Sequence, residues 1–215
     1  MSLLLQSMLQ LLPYAAAALL VAPILLCRAS SGAGAGPVYV VGADLGTESC
    51  RVGLFDINSA EYCYKPLVSH AVPYKTSFPA PGWAEQDPDD WWAALGQACR
   101  ACCRDIDTSL VKGLCVDTTA CSVVALGADY RPLRPCLLWC DVRSSQQCQE
   151  MLDRARGDPA LRVSSNGRGP VSAEWMIPKA LWIKQNEPQT WQRAKFVCEK
   201  QVAHLSQHSP YPRLA

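Results

Sequence analysis

Apolar runs of strand length open the part of the chain that follows residue 37. Residues 38–43 (VYVVGA) form a short, β-branched apolar run, which predicts a buried strand. Residues 50–56 (CRVGLFD) alternate between polar and apolar positions and predict a second strand, and residues 61–72 predict a third. Because a short turn joins the first two strands, the pattern favours an antiparallel meander.

A helical pattern then interrupts the strands. Residues 88–105 predict a helix, because Pro88 suits a first turn and the acidic pair Asp89 and Asp90 complements the positive end of the helix dipole. Further strands are predicted at residues 111–117, 121–126 and 134–139, and further helices at residues 144–156 (capped by Ser144), 178–186 and 188–195. A helix that crosses between strands predicts an α/β fold with a mixed β-sheet and flanking helices.

The first predicted helix carries an apolar face that includes cysteines. Apolar residues recur along it at three- and four-residue steps: Trp92, Leu95, Cys99, Cys102 and Cys103. This spacing is typical of a buried helix face, on which a thiol acts as a small hydrophobic group. A zinc site built from Cys99-x-x-Cys102 with Cys136 or Cys140 is an alternative, and disulfides among the 12 cysteines are another.

The composition indicates a folded chain of ordinary size and excludes two classes of protein. Of the 215 residues, 49% are hydrophobic and only 18% are charged, which excludes global disorder. The 20 Lys and Arg residues are balanced by 19 Asp and Glu residues, so the basic footprint of a nucleic-acid-binding protein is absent. We therefore expect no nucleic-acid partner.

The two ends of the chain differ from its centre. Residues 9–27 form an uncharged apolar run that reaches the length of a membrane span, although two prolines interrupt it. A signal or anchor that contacts the membrane, an organelle-targeting segment, and an extension without a targeting role all stay open. We expect residues 1–36 to be this segment with its small-residue linker, residues 37–199 to be the folded domain, and residues 200–215 to be a divergent, disordered tail.

The turn after the first predicted strand is a candidate phosphate site. Asp44 ends that strand, Gly46 permits a tight turn, and the backbone amides beyond it, together with the Thr47 hydroxyl, can face an anion. An Asp beside such amides can bind Mg²⁺ directly or through water. Arg51 lies on the next strand, within reach of the same anion. The tetrapeptide alone is a weak signal, but its place between two strands favours phosphate binding, and it is not a Walker loop.

Five segments of the chain resemble the FGGY carbohydrate kinases, members of the actin-like ATPase superfamily. They are VVGADLGTESCRVGLFD (40–56), PGWAEQDPDDWWAAL (81–95), GLCVDTTACSVVAL (113–126), PLRPCLLWCDVRS (132–144) and GPVSAEWMIPKALWIKQNEP (169–188). The resemblance covers residues 38–199. It implies the N-terminal lobe of an actin-like ATPase (ribonuclease H-like) fold.

The resemblance also implies a substrate class. Glycerol kinases have Arg-Glu, and xylulokinases Met-His, where this chain has Ala120 and Cys121, and its order of residues there is similar to that of ribulokinases. Glu174 falls where glycerol kinases have a substrate-contacting tyrosine. Small side chains leave space for a five-carbon ketose, and a carboxylate accepts hydrogen bonds from its hydroxyls. The implied substrate is a ketopentose, with ribulose first.

By this resemblance the chain is an ATP-dependent carbohydrate kinase. The family transfers the γ-phosphoryl group of ATP to a sugar hydroxyl, which depends mainly on positioning and charge neutralisation. The resemblance assigns Asp44 to Mg²⁺, and Gly46, Thr47 and Arg51 to ATP and its phosphate oxygens. Position 48 is Glu where glycerol kinases have Thr, so a side-chain phosphate contact there is not expected.

The resemblance places Asp141 and Arg143, in the WxDxR motif, in the sugar pocket. A buried salt bridge at a strand end is the alternative for this pair. Trp83 and Trp175, in loop-like contexts beside motif residues, are further candidates for the pocket.

Two features of the family are expected to be missing from this chain. The family's general-base aspartate lies past the position of Glu199, where this sequence departs from the pattern, and the second lobe that carries most of the adenosine site comes later still. We therefore expect an incomplete N-terminal lobe without kinase turnover; the alternative is a catalytically inactive fragment that binds sugar or a partner. The family suggests cytoplasm or plastid, whereas residues 9–27 suggest a signal, anchor or organelle-targeting segment.

Overall fold

The computed structural model describes residues 36–155, 158–159 and 171–201, which form two compact units. One unit holds the residues up to Asp44 together with Arg51–Val72 and Leu95–Val116. The other holds Leu45–Cys50, Pro73–Ala94 and the residues from Asp117 onward. The apolar run at 9–27 and all but the start of the predicted tail lie outside the described residues. Among the residues described, no helix is long and apolar enough to cross a bilayer.

The first unit is built mainly on a four-stranded sheet in the order β3-β2-β1-β5. Its strands are β1 (Tyr39–Leu45), β2 (Ser49–Asp56), β3 (Val68–Pro73) and β5 (Val111–Thr118). Ile57 N donates to Val38 O (2.9 Å) and Leu67 N donates to Leu54 O (2.7 Å), in antiparallel register. The predicted meander of three strands is confirmed.

The alternation predicted for β2 is seen in its burial. Cys50, Val52 and Leu54 are buried, while Arg51 between them is exposed. The third strand, in contrast, begins at Val68 rather than at residue 61. The hydroxyl of Ser59 accepts from Glu61 N (3.3 Å) and from the next amide (3.1 Å), which bends residues 60–63 into turns instead of a strand.

The second unit contains an antiparallel sheet in the order β4-β7-β6-β8. Its strands are β4 (Glu85–Gln86), β6 (Val123–Leu126), β7 (Cys136–Leu137) and β8 (Phe196–Glu199). Every residue of β6 is buried, and Val123 and Leu137 form a core with Ile183 of a packed helix. The sequence predicted neither β4 nor β8, because strands of two and four residues show too little alternation to be recognised.

Four α-helices are described: α1 (Pro88–Cys102), α2 (Ser145–Arg154), α3 (Met176–Asn186) and α4 (Pro188–Arg193). They confirm the predicted helices within three residues at each described end. Ser144 is the N-cap residue of α2, as predicted, but its hydroxyl donates to Ala173 O (2.7 Å) and makes no capping bond.

The buried face of α1 is displaced by about one residue from the predicted face. Trp91, Leu95 and Cys102 are buried, whereas Cys99 and Cys103 are half-buried at its margins. The Cys102 thiol lies 3.3 Å from Val52 O and packs against the sheet. None of the eleven cysteines that the structure describes forms a disulfide, and the described residues contain no cluster of metal-ligating side chains.

Candidate active site

The turn between β1 and β2 (residues 45–49, the β1–β2 turn) is closed by the Gly46 amide, which donates to Ser49 O (3.1 Å). Its carbonyl groups are held by three side chains of the same unit. The Tyr74 hydroxyl donates to Gly46 O and lies 3.1 Å from Ser49 O, and Gln86 Nε2 donates to Thr47 O (2.5 Å). The third side chain is the buried Lys200, which binds Leu45 O and Gly46 O.

These bound carbonyls fix the direction of the amides in the turn. In a trans peptide the C=O and the following N–H point in opposite directions. Because the carbonyls of Gly46 and Thr47 point to their side-chain partners, the amides of Thr47 and Glu48 point the other way. Neither amide has an acceptor within the part of the chain that the structure describes. Two such amides in a tight turn are donors available to an anion.

The structure pairs Asp44 with Arg51. Arg51 Nη1 lies 2.9 Å from Asp44 Oδ2, and both side chains are about half exposed. The two residues predicted for the metal and for the phosphate are therefore brought together, with carboxylate and guanidinium both open to solvent.

One hydrogen bond joins the β1–β2 turn to the WxDxR motif, 92 residues away. Trp139 Nε1 donates to Thr47 Oγ1 (3.1 Å), and the indole keeps 40% of its surface exposed. A threonine hydroxyl that accepts from an indole keeps its own hydrogen to donate elsewhere. The backbone of Trp139 is fixed as well, since its amide donates to Ser122 Oγ (3.2 Å).

Ala120 and Cys121, predicted for the sugar side, lie on the turn before β6. Cys121 has a positive φ of 59°, a conformation that costs a non-glycine residue about 1–2 kcal/mol. Its carbonyl is held by the buried Lys179, whose ammonium also donates to Leu138 O (2.6 Å) and lies 3.3 Å from Trp139 O. Burial lowers the pKa of Lys179, and the negative charge of Asp141 acts in the opposite direction.

The electrostatics around Cys121 place it beside acidic groups. Burial raises the pKa of its thiol, and the carboxylates of Glu199 and Glu174 raise it further, while Lys179 lowers it. Glu174 itself is exposed, with its backbone amide on Ser172 Oγ (3.2 Å). Cys121 and Glu174, two of the predicted sugar-side residues, are therefore close enough to interact electrostatically.

Asp141 and Arg143 form a buried ion pair. Arg143 Nη2 lies 2.8 Å from Asp141 Oδ2, and its guanidinium stacks on the Trp83 ring at 3.8 Å. Nη1 lies 2.8 Å from Glu85 Oε1, and Asp141 Oδ2 also accepts from Ala84 N (2.7 Å). This arrangement is the buried salt bridge that the sequence left as the alternative. A contact of either residue with sugar stays a prediction, as does one of Trp83.

Five of the residues that build this site lie outside the roles predicted from the sequence: Tyr74, Gln86, Trp139, Lys179 and Lys200. For two of them, the sequence context favours a side chain that is bound to buried groups. Lys179 lies in an otherwise apolar segment of α3, and Lys200 directly follows the strand FVCE. A lysine in such surroundings is either solvated or bound to buried acceptors, and both are bound here.

Comparison with known proteins agrees with this geometry. The family model described as "FGGY family of carbohydrate kinases, N-terminal domain" matches residues 39–204. A xylulose kinase of Lactococcus lactis is 32% identical over 160 residues, which cover 73% of this chain and 30% of that protein. A xylulose kinase of Escherichia coli is 30% identical over 153 residues, covering 71% and 30%.

Solved structures agree as well. A structure described as a "xyloylose kinase" from Brucella ovis superposes with a TM-score of 0.66 at 29% identity, covering 78% of this chain and 34% of that one. The chain thus spans about a third of the length of the relatives it matches. The expected α/β, actin-like fold is confirmed. This chain belongs to the FGGY family of carbohydrate kinases and corresponds to the N-terminal domain of its members.

Proposed function

We propose that this chain forms the phosphate-binding and sugar-binding part of an enzyme that transfers the γ-phosphoryl group of ATP to a hydroxyl of a ketopentose. The observation that carries the proposal is the bond from Trp139 Nε1 to Thr47 Oγ1, because it connects the β1–β2 turn to the predicted sugar side. Phosphoryl transfer depends on bringing these two substrates together in a fixed orientation.

Phosphate binding is proposed because hydrogen-bond donors of the β1–β2 turn point away from the side chains that hold its carbonyl groups. The amides of Thr47 and Glu48 and the hydroxyl of Thr47 supply three donors to phosphate oxygens. No hydrogen bond within the described residues has to break for them to do so. Preorganised donors of this kind stabilise the charge that develops in phosphoryl transfer.

Asp44 is suited to bind the metal ion that phosphoryl transfer requires. Its carboxylate is half exposed, precedes the turn by one residue and offers the hard oxygen ligand that Mg²⁺ prefers. Bound there, Mg²⁺ would neutralise phosphate charge. Arg51, now paired with Asp44, supplies a second positive group for the same purpose.

The sugar side of the proposal combines small side chains with one acidic group. Ala120 and Cys121 leave space, and the exposed Glu174 carboxylate accepts hydrogen bonds from sugar hydroxyls. The curated relatives are named xylulose kinases, whereas Ala120-Cys121 departs from the Met-His of xylulokinases. We therefore propose a ketopentose, with ribulose ahead of xylulose.

A binding experiment tests the proposal. The 215-residue chain is titrated with D-ribulose, L-ribulose, D-xylulose and glycerol in the presence of Mg·ADP, and tryptophan fluorescence reports binding through the exposed indoles of Trp139 and Trp175. We expect saturable binding of a ketopentose, weakened in Glu174→Gln and unchanged in the matched variant Glu61→Gln, whose exposed carboxylate pairs with Lys65. Tighter binding of xylulose would overturn the order of the two sugars. Binding of glycerol alone, or of no sugar, would overturn the proposal.

A further inference from the structure

We propose that Lys200 is a positioning residue that holds the β1–β2 turn in the conformation that directs its amides toward phosphate. The inference rests on the proposed function of that turn. Lys200 touches neither proposed substrate, since its side chain is wholly buried. It acts through the backbone of Leu45 and Gly46.

Turn carbonyls and aromatic groups lie around the Lys200 ammonium. Nζ donates to Leu45 O (3.0 Å) and to Gly46 O (3.2 Å), and it lies 3.4 Å from the Tyr74 hydroxyl. The ring of Trp91 covers it, with the centroid 4.2 Å away, and the ring centroid of Tyr74 lies at 5.2 Å.

This environment matches the bonding capacity of lysine. An ammonium group has three donors, and burying it is costly unless those donors and its charge are compensated. Here three oxygen atoms and an aromatic face contribute to that compensation, two of the oxygens being carbonyls of the turn. Burial of Lys200 therefore depends on the carbonyls of residues 45 and 46 pointing inward. The reverse also holds, so the conformation of the turn depends on Lys200.

The backbone of Lys200 is anchored on the sugar side. Its amide donates to Ser122 O (2.8 Å), which continues the pairing of β8 with β6 that places Glu199 opposite Val123. Ser122 in turn accepts from the amide of Trp139. One residue thus connects the turn, through its side chain, to the predicted sugar side, through its main chain.

The consequence concerns the amide of Thr47. It belongs to the same peptide as the Gly46 carbonyl, so fixing that carbonyl fixes the amide. The positive charge next to the carbonyl also polarises the peptide, which makes its N–H a stronger donor. Without the ammonium, the Gly46 carbonyl keeps the Tyr74 hydroxyl as its side-chain donor among the described residues, and the peptide between Gly46 and Thr47 is held less firmly.

Lys200→Met tests this inference, because methionine keeps most of the volume and removes the charge and donors. Lys112→Met is the matched control: Lys112 also donates to a backbone carbonyl, that of Ser109 (2.6 Å), but at the surface of the other unit. Two quantities are measured on the full 215-residue chain: hydrogen exchange of the Gly46 amide by NMR, and affinity for Mg·pyrophosphate by calorimetry.

We expect Gly46 exchange to accelerate, and pyrophosphate affinity to fall, by about tenfold each in Lys200→Met, the size expected for losing one charged hydrogen bond. Neither the Gly46 exchange nor the pyrophosphate affinity should change in Lys112→Met. Unchanged Gly46 exchange in folded Lys200→Met would overturn the inference. So would unchanged affinity with altered exchange, which would leave Lys200 a purely structural residue.

Failure of the proposed function is a separate outcome. If the unaltered chain binds no pyrophosphate, the phosphate role of the turn is wrong, and Gly46 exchange still decides whether Lys200 holds the turn. Should Lys200→Met not fold, the unaltered chain labelled with ¹⁵N-lysine provides the test. Pyrophosphate should shift the Lys200 ammonium signal and leave that of Lys112 in place; an unmoved Lys200 signal would overturn the inference.

Discussion

Replacing Arg143 by methionine tests the energetics of the buried ion pair. In the native chain Arg143 Nη2 lies 2.8 Å from Asp141 Oδ2 and Nε lies 3.0 Å from both carboxylate oxygens, and the two side chains are 1% and 0% exposed. After the replacement Asp141 keeps only the amides of Ala84 and residue 143 as donors, so a buried negative charge loses the positive group that it is paired with. Breaking a buried pair in this way costs about 3–5 kcal/mol.

The assay is urea unfolding followed by tryptophan fluorescence. The matched control is Arg131→Met, because Arg131 is 83% exposed and lies 4.0 Å from its partner Asp129, so its replacement should change stability by less than about 0.5 kcal/mol. Adding Asp141→Asn to Arg143→Met removes the orphaned charge and should recover about 1–2 kcal/mol. A loss below about 1 kcal/mol in Arg143→Met, or no recovery in the double variant, would refute the reasoning.

Three further predictions concern the turn and the thiols. Tyr74→Phe removes the hydroxyl that binds Gly46 O, and should weaken Mg·pyrophosphate binding by about threefold to tenfold in calorimetry; unchanged binding would contradict the role of Tyr74. Burial raises the pKa of Cys136 to about 12, so at pH 8 iodoacetamide should label the exposed Cys115 and spare Cys136, as peptide mass spectrometry would show; equal labelling would be inconsistent with this burial. Burial also raises the pKa of Cys198 to about 11. Because both folded-state pKa values exceed the unfolded value of about 9, the unfolded chain loses protons first, so these thiols should make stability fall as pH rises above about 9, and less steeply in Cys136→Ala; equal slopes in urea unfolding would argue against the assignment.

The local pattern of the sequence predicted the parts of the fold that depend on near neighbours. The β1–β2 hairpin and the four helices carry their own periodicity and turn residues, so they could be found without tertiary contacts. The strands β4 and β8 could not, because they are short and exist through pairing with distant strands. The face of α1 was displaced for a related reason: the spacing allowed either Trp91 or Trp92 inside, and packing selected Trp91.

The candidate site also combines residues that the local sequence predicts with contacts that it does not predict. Thr47 and its turn were predicted from adjacent residues, whereas the partner of Thr47 is 92 residues away and Leu45 is bound by a lysine 155 residues away. Such contacts leave no periodic trace in a single sequence. The residues that orient the turn were therefore missed, although the turn itself was not.

The indole N–H resonance of Trp139 tests the central claim most directly, since that group bonds Thr47 on the proposed phosphate side and lies next to the predicted sugar side. In ¹⁵N spectra of the whole chain, Mg·pyrophosphate and a ketopentose, added separately, should each shift this signal and saturate. A signal that neither ligand moves, or that only one of them moves, would contradict the claim that phosphate and sugar meet at Thr47 and Trp139.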